Sequence, residues 1–311
     1  MKVLDENGLA VLKQYLLADL PVIDPSKWVN NTIGSNNFSN IKVINNELIA
    51  VGRNGSIYTS TDGNTWTSHG SYTAHFNDVC YFKNYYILAS GNGVYYGTNL
   101  DNLIYKEIST WNMKVCCASN DIVIVGATAG NLYYSTDGVN WTKATGTSTK
   151  TFTSCEFIND LFIATAYDGT LITSTDGISW TKATTGTTSN LTGICYDGSK
   201  YIAVGQKIIL TSTDLINWET ITNSTINNIN FYSVLYVENK YIFTCNSNQI
   251  YYCESFDDIH DKSILHVCEN IAYFNNGLYA VGSSGYIATS KNTQKFTLQE
   301  VVDYFLNKIN K

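Results

Sequence analysis

A single arginine, Arg53, stands in a chain of 311 residues, beside four histidines, two prolines and two methionines. Lysine does not substitute for the flat guanidinium fork. A site that grips a carboxylate with several bidentate arginines is therefore excluded. Only 14% of residues are charged, and the net charge is -7 with a pI near 5.0. That balance argues against nucleic acid or an anionic membrane as the main partner. No apolar run is long enough to cross a bilayer, so membrane insertion is not expected. The opening residues do not form the basic-then-apolar pattern of a signal peptide, so we expect synthesis in a cytoplasm. Histidine is scarce and no CxxC pair occurs, so neither a metal nor another cofactor is expected.

What the chain does have is a repeat. Ser60-Thr61-Asp62-Gly63-Asn64-Thr65-Trp66 recurs as Ser135 to Trp141 and as Ser174 to Trp180. A fourth copy, Ser212 to Trp218, carries Leu215 in place of glycine. Asp137, Asp176 and Asp214 follow one another at almost equal steps, and Asp62 lies two such steps before Asp137. A period of about 40 residues is the signature of a propeller or solenoid. Between boxes lie short aromatic and β-branched runs broken by Gly, Asn and Asp, as in Asp78–Phe82, Tyr85–Ser90 and Val94–Gly97. Such runs read as strands of a meander. Four antiparallel strands per repeat make one blade. The second-strand run occurs seven times, from Leu48–Gly52 to Leu278–Gly282, which predicts seven blades.

The ends of the repeat predict how the ring closes. Asp24-Pro25-Ser26-Lys27-Trp28 matches the second half of a box, and Ser290-Lys291-Asn292 matches the first half. The chain should begin on the outer strand of the blade whose other three strands come last. The expected fold is all-β: a seven-bladed propeller of four-stranded antiparallel blades with N-terminal-strand closure, plus short terminal helices. The domains are then an N-terminal helical segment (1–22), the propeller (23–296) and a C-terminal amphipathic helix (297–311). Cys80, Cys116, Cys155 and Cys195 recur at close to the same step as the boxes. We read them as one repeat position, too far apart to bridge, and as buried free thiols.

The box resembles the Asp-box of sialidase-like and BNR-repeat propellers. In such a turn the carboxylate accepts backbone N–H groups, the glycine supplies positive φ and the tryptophan packs between sheets. Asp62, Asp137, Asp176 and Asp214, with Trp66, Trp141, Trp180 and Trp218, are therefore read as structural rather than catalytic or calcium-binding. Sialidases of this fold hold their substrate with three arginines, and one arginine cannot do that. A glycoside hydrolase with two carboxylates is the weaker alternative. Asp168, Asp197, Glu156 and Glu238 are scattered, and no catalytic residue is expected.

Leu9, Leu12, Leu16 and Leu20 fall at helical spacing before Pro21. A second stripe runs from Leu298 through Val302 and Phe305 to Ile309, after a Thr297/Glu300 capping box. These helices suit mutual packing, docking or homo-oligomerisation. The opening Met1-Lys-Val-Leu-Asp-Glu-Asn-Gly-Leu9 is similar to the start of small tail and baseplate proteins of phages and prophages from Gram-positive bacteria. The resemblance implies attachment to other tail or baseplate subunits and a place in an extracellular virion or tail-like particle.

Loops joining strand 2 to strand 3, and strand 4 to the next blade, share the face opposite the boxes. That face should carry Arg53, His75, Phe76, Trp111, Tyr167, Asp168, Lys207 and Tyr232. Aromatic rings beside amides suit a sugar, which stacks its apolar face and hydrogen-bonds its hydroxyls. The expected function is non-enzymatic recognition of a cell-surface glycan or protein through this face. The alternative is a structural scaffold making only protein contacts.

Overall fold

The computed structural model describes residues 23–291. Both expected terminal helices, and Asn292 of the split box, lie outside the described residues. The described chain forms seven four-stranded antiparallel sheets arranged as the blades of a ring. The inner strands are Phe38–Ile44, Phe76–Phe82, Met113–Ala118, Phe152–Ile158, Leu191–Tyr196, Phe231–Val237 and Cys268–Phe274, in blades 1 to 7. In blade 7 the outer strand is Val29–Thr32, paired antiparallel with Tyr286–Lys291 from Val29 opposite Thr289 to Thr32 opposite Tyr286. The N-terminal closure expected from the split box is the one observed.

The second strand of each blade is buried on both faces, because a neighbouring sheet covers each side. Leu48, Ile49, Ala50 and Val51 are all at 0% exposure. Continuous apolar runs, rather than alternation, follow from that double burial. Each groove between adjacent blades holds its own apolar cluster. That between blades 3 and 4, for example, packs Ile122 and Ile124 against Phe152 and Phe162. Much of the asparagine is turn chemistry. Asn45-Asn46, Asn159-Asp160, Glu238-Asn239 and Asn275-Asn276 connect strands 1 and 2 with two successive positive φ values. Two-residue hairpins need that conformation, and Asn tolerates it.

The boxes form one repeated turn. In blade 1, Asn64 and Thr65 donate backbone N–H bonds to Asp62 Oδ1 at 2.7 and 2.8 Å, and Ser60 Oγ donates to it at 3.0 Å. Gly63 N donates back to Ser60 Oγ at 2.7 Å. The same pattern holds at Asp137, Asp176 and Asp214. These bonds depress the Asp62 pKa to about 2. Asp137, Asp176 and Asp214 are likewise held below the usual range by backbone donors. Each box tryptophan packs between its own blade and the preceding one. The burial is uneven: Trp180 is 5% exposed, whereas Trp141 is only partly buried.

The cysteine expectation needs correction. Strand pairing sets Val79 opposite Leu88, Cys80 opposite Ile87, Cys116 opposite Val125 and Cys117 opposite Ile124. Cys80, Cys117 and Cys195 therefore share one repeat position, while Cys116 and Cys155 share the neighbouring one, matching Val79. A shift of one residue turns a side chain to the other face of the sheet. Cys117 thus faces blade 4 and Cys155 faces blade 3. The two are disulfide-bonded, with Cα atoms 5.7 Å apart. Equivalent positions could not have met, but adjacent positions in successive blades do.

Candidate functional site

Every inner strand begins with a β-bulge, which sets one extra residue against its partner strand. The bulged residues are Ser39, Asn77, Lys114, Thr153, Thr192, Tyr232 and Glu269. Bulges re-aim side chains at sheet ends. All seven line one central channel of about 1010 Å³. Several also tie one blade to the next. Asn77 Nδ2 donates to Met113 O at 2.7 Å, Thr153 Oγ1 to Leu191 O at 2.7 Å, and Thr192 Oγ1 to Phe231 O at 2.8 Å. The mouth is a hoop of mostly different side chains, with threonine repeated only at Thr153 and Thr192.

Charge is distributed unequally around it. Arg53, His75 and Lys114 line the channel on the side of blades 1 to 3, and Glu269 lines it on blade 7. Among the described residues Arg53 and Lys114 make no ion pair. Burial lowers the His75 pKa, and the neighbouring Arg53 and Lys114 charges lower it further. Ser39 Oγ lies 3.1 Å from His75 Nε2. Burial raises the Glu269 pKa, against the pull of Arg53.

Deeper in the channel wall sits a second cluster. Lys42 Nζ lies 2.9 Å from Asp78 Oδ1 and donates to Cys116 O at 3.1 Å. Asp78 also accepts from Asn40 Nδ2 and from the backbone of Val79 and Cys116, each at 2.8 Å. Burial acts to lower the Lys42 pKa, but Asp78 and Glu156 outweigh it and hold the ammonium charged. Burial raises the Glu156 pKa, Asp78 adds to the rise, and Lys42 opposes it. Asp78 is thus occupied as an anchor, with both oxygens taken.

The expected site residues divide into three groups. Arg53, His75, Tyr167 and Tyr232 converge on the channel. Phe76 does not belong to a binding face: it is fully buried at 0% exposure, edge-on to Tyr72 and Tyr95. Its place before the bulge turns it inward, into the groove between blades 1 and 2. Trp111 is exposed but stands outside the channel lining, Asp168 is ion-paired with Lys150, and Lys207 sits in a hairpin turn with φ 58°. Lys42, Asp78, Lys114 and Glu269 were not anticipated, and Glu156 was weighed only as one of several scattered carboxylates. Their signal was a charge at a repeat position otherwise held by Cys, Leu or Ala, as at Lys42 and Glu156, or at the residue just after the strand opens.

These features define a seven-bladed β-propeller with a polar central channel. No protein-family model matches the chain, and no curated protein matches it. Solved propellers do match in fold. One is YCF48 bound to D1 peptide, with TM-score 0.70 and 13% identity over 88% of this chain and 97% of that one. Another is virginiamycin B lyase from Staphylococcus aureus, with TM-score 0.72 and 10% identity over 85% and 99% of the two chains. A third is the WD40 propeller domain of Doa1, with TM-score 0.69 and 10% identity over 88% and 98%. At such identities the likeness is one of fold.

Proposed function

We propose that this protein is a non-enzymatic recognition propeller. It binds a cell-surface glycan or protein through the box-free face, as a component of a phage tail or phage-like particle, with its terminal segments joining other tail or baseplate subunits. The observation that carries this reading is the channel mouth. Its seven bulged residues are of six types, and it holds Arg53 and Lys114 without ion-pair partners among the described residues. A purely structural rim has no use for unpaired cations beside a cavity of this size. A structural neighbour that holds a peptide supports a protein ligand as one of the two classes. The anchoring of Asp78 by Lys42 and three N–H donors speaks against its use as one of a hydrolase's two carboxylates.

The test is binding of the full chain to host cells and to their isolated wall polysaccharide and surface proteins. Arg53→Gln combined with Lys114→Gln should weaken binding at least about tenfold, roughly 1.4 kcal/mol, while the unfolding temperature holds. Wild-type protein that binds no cells, but assembles with both propeller faces buried among tail subunits, would instead establish a scaffold.

A further inference from the structure

We propose that a separate recess on the same face, over blade 2, binds one uncharged sugar ring. The inference rests on the reading of this face as the recognition face. The recess opens beside a short hairpin. In blade 1 the Arg53–Gly55 turn follows the second strand and reaches over to the next blade, where Gly55 N donates to Ala74 O at 2.6 Å. In blade 2, Ser90 pairs directly with Gly93, so only Gly91 and Asn92 form the turn. Beside this turn a space of about 270 Å³ opens, lined by blade 2, by Ala74 and His75 ahead of its inner strand and by Asn112 ahead of blade 3. That is the volume of about nine waters at about 30 Å³ each, room for one sugar ring.

The lining suits an uncharged sugar. No Lys, Arg, Asp or Glu contributes to it. Its aromatic wall is Tyr105, 44% exposed, with its ring 5.0 Å from that of Tyr95. Tyr95 is itself braced edge-on by Phe76 at 5.3 Å. An exposed ring on a fixed support is a platform for the apolar face of a pyranose. Opposite lie two amides. Asn77 is oriented by its bond to Met113 O at 2.7 Å, and its Nδ2 lies 3.4 Å from Asn112 Oδ1. Asn77 Oδ1 and Asn112 Nδ2 have no hydrogen-bond partner among the described residues. One acceptor beside one donor matches neighbouring ring hydroxyls. His75 lines both this recess and the channel, so a longer glycan could run from one to the other.

The test uses the full chain and a panel of neutral hexoses and N-acetylhexosamines, read by saturation-transfer NMR and titration. One member should bind with a dissociation constant of about 1–10 mM, ordinary for so few atoms. Two variants remove the site without touching the core. Tyr105→Ala deletes the platform. Gly91→Asn fills the recess: a Cβ there meets nothing within 4 Å, and Asn tolerates the φ of 49°. Each should weaken the sugar at least tenfold with the unfolding temperature unchanged, and Arg53→Gln should leave it intact. Sugar binding that survives both variants, or that is lost with Arg53→Gln, overturns the assignment. So does the absence of any neutral-sugar binding at about tenfold higher concentration. Cell binding that persists in that last case would leave the recognition function standing and remove only this site.

Discussion

Ser290 Oγ donates a 2.6 Å hydrogen bond to the backbone carbonyl of Asp24, 266 residues away in sequence. Within a whole box the serine bridges residues two and three places on, as Ser174 does for Asp176 and Gly177. At the seam the same serine spans the two ends of the ring. The other half keeps its own pattern: Trp28 Nε1 donates to Pro25 O at 2.7 Å, as Trp180 does to Gly177 O at 3.2 Å. The closure is a single box made from two distant pieces.

Ser290→Ala should therefore loosen the whole ring. It removes a fully buried donor and leaves the Asp24 carbonyl with the Lys27 N–H as its remaining partner, a loss of about 0.5–1.5 kcal/mol. Thermal unfolding should fall by about 2–4 °C for each kcal/mol lost. Ser71→Ala, at an exposed position, is the control. Equal melting temperatures for the two variants would show that the seam does not depend on this bond.

Position 215 tests two opposed effects. Leu215 holds φ at 62°, where other boxes use glycine. A non-glycine residue there costs about 1–3 kcal/mol. Yet its side chain is 8% exposed and packs with Ile163 of the preceding blade. Losing a buried leucine costs about 2–5 kcal/mol. Packing is the larger effect, so Leu215→Gly should destabilise despite relieving the backbone. The reverse change should carry the backbone cost alone at Gly138, where φ is 79° and a Cβ would meet nothing nearer than 3.5 Å, and a clash besides at Gly63, where it would meet Tyr279 Oη at 2.1 Å. Denaturant midpoints for Leu215→Gly, Gly138→Ala and Gly63→Ala give the order. A stabilised Leu215→Gly would reverse the argument.

The fold was legible because the box is local chemistry. Asp62, Gly63 and Trp66 make their turn within a single short segment, so a repeat of the letters is a repeat of the structure. The seam was legible for the same reason. The cysteines were not: their spacing drifts by a few positions from blade to blade, which leaves the register open by one, and one residue decides which groove a side chain enters. The site was legible only in part. Arg53, His75, Tyr167 and Tyr232 follow from knowing which loops share a face. Phe76 was misplaced because the bulge beside it, invisible in composition, turns it inward. Lys42 and Asp78 meet across two blades, a contact that no local pattern encodes.

Acid should act on the protein in two stages of opposite sign. The box aspartates have folded pKa values below the unfolded value of about 3.9, Asp62 at about 2. Their contribution is present above about pH 4 and is lost as pH falls through the folded values. Glu156 and Glu269 have raised folded values, so the folded state takes up protons before the unfolded one does. Stability should therefore hold or rise slightly as pH falls from 7 towards 5. It should then decline below about pH 4. Urea midpoints across this range check the curve, and a steady loss beginning at pH 7 would contradict both assignments.

The disulfide closes a loop across 38 residues between blades 3 and 4. Chain-entropy reasoning assigns such a crosslink about 4 kcal/mol, often less in practice. Denatured without reductant, the protein should expose six alkylatable thiols of its eight cysteines, and all eight after reduction. Mass spectrometry counts them directly. Reduction should also lower the melting temperature by several degrees. Eight labelled thiols before reduction would rule out the bond.

Lys42 should be the most sensitive charge in the molecule. Its ammonium faces Asp78, whose side chain is 5% exposed, and lies within the field of Glu156. Lys42→Met keeps much of the stem and deletes the charge. It leaves a buried carboxylate without its cation, a loss of about 3–5 kcal/mol. The variant should recover part of that loss on acidification, because Glu156, already raised by burial and now without the opposing Lys42 charge, takes up a proton in the folded state first. A companion Asp78→Asn in the Lys42→Met background should restore stability, since the amide oxygen can still accept from the backbone of Val79 or Cys116 while the charge is gone. Denaturation of the two variants at pH 7 and pH 5 separates lost charge balance from lost packing. A Lys42→Met penalty that neither acid nor Asp78→Asn relieves would mean that the stem, and not the ammonium, supports the channel wall.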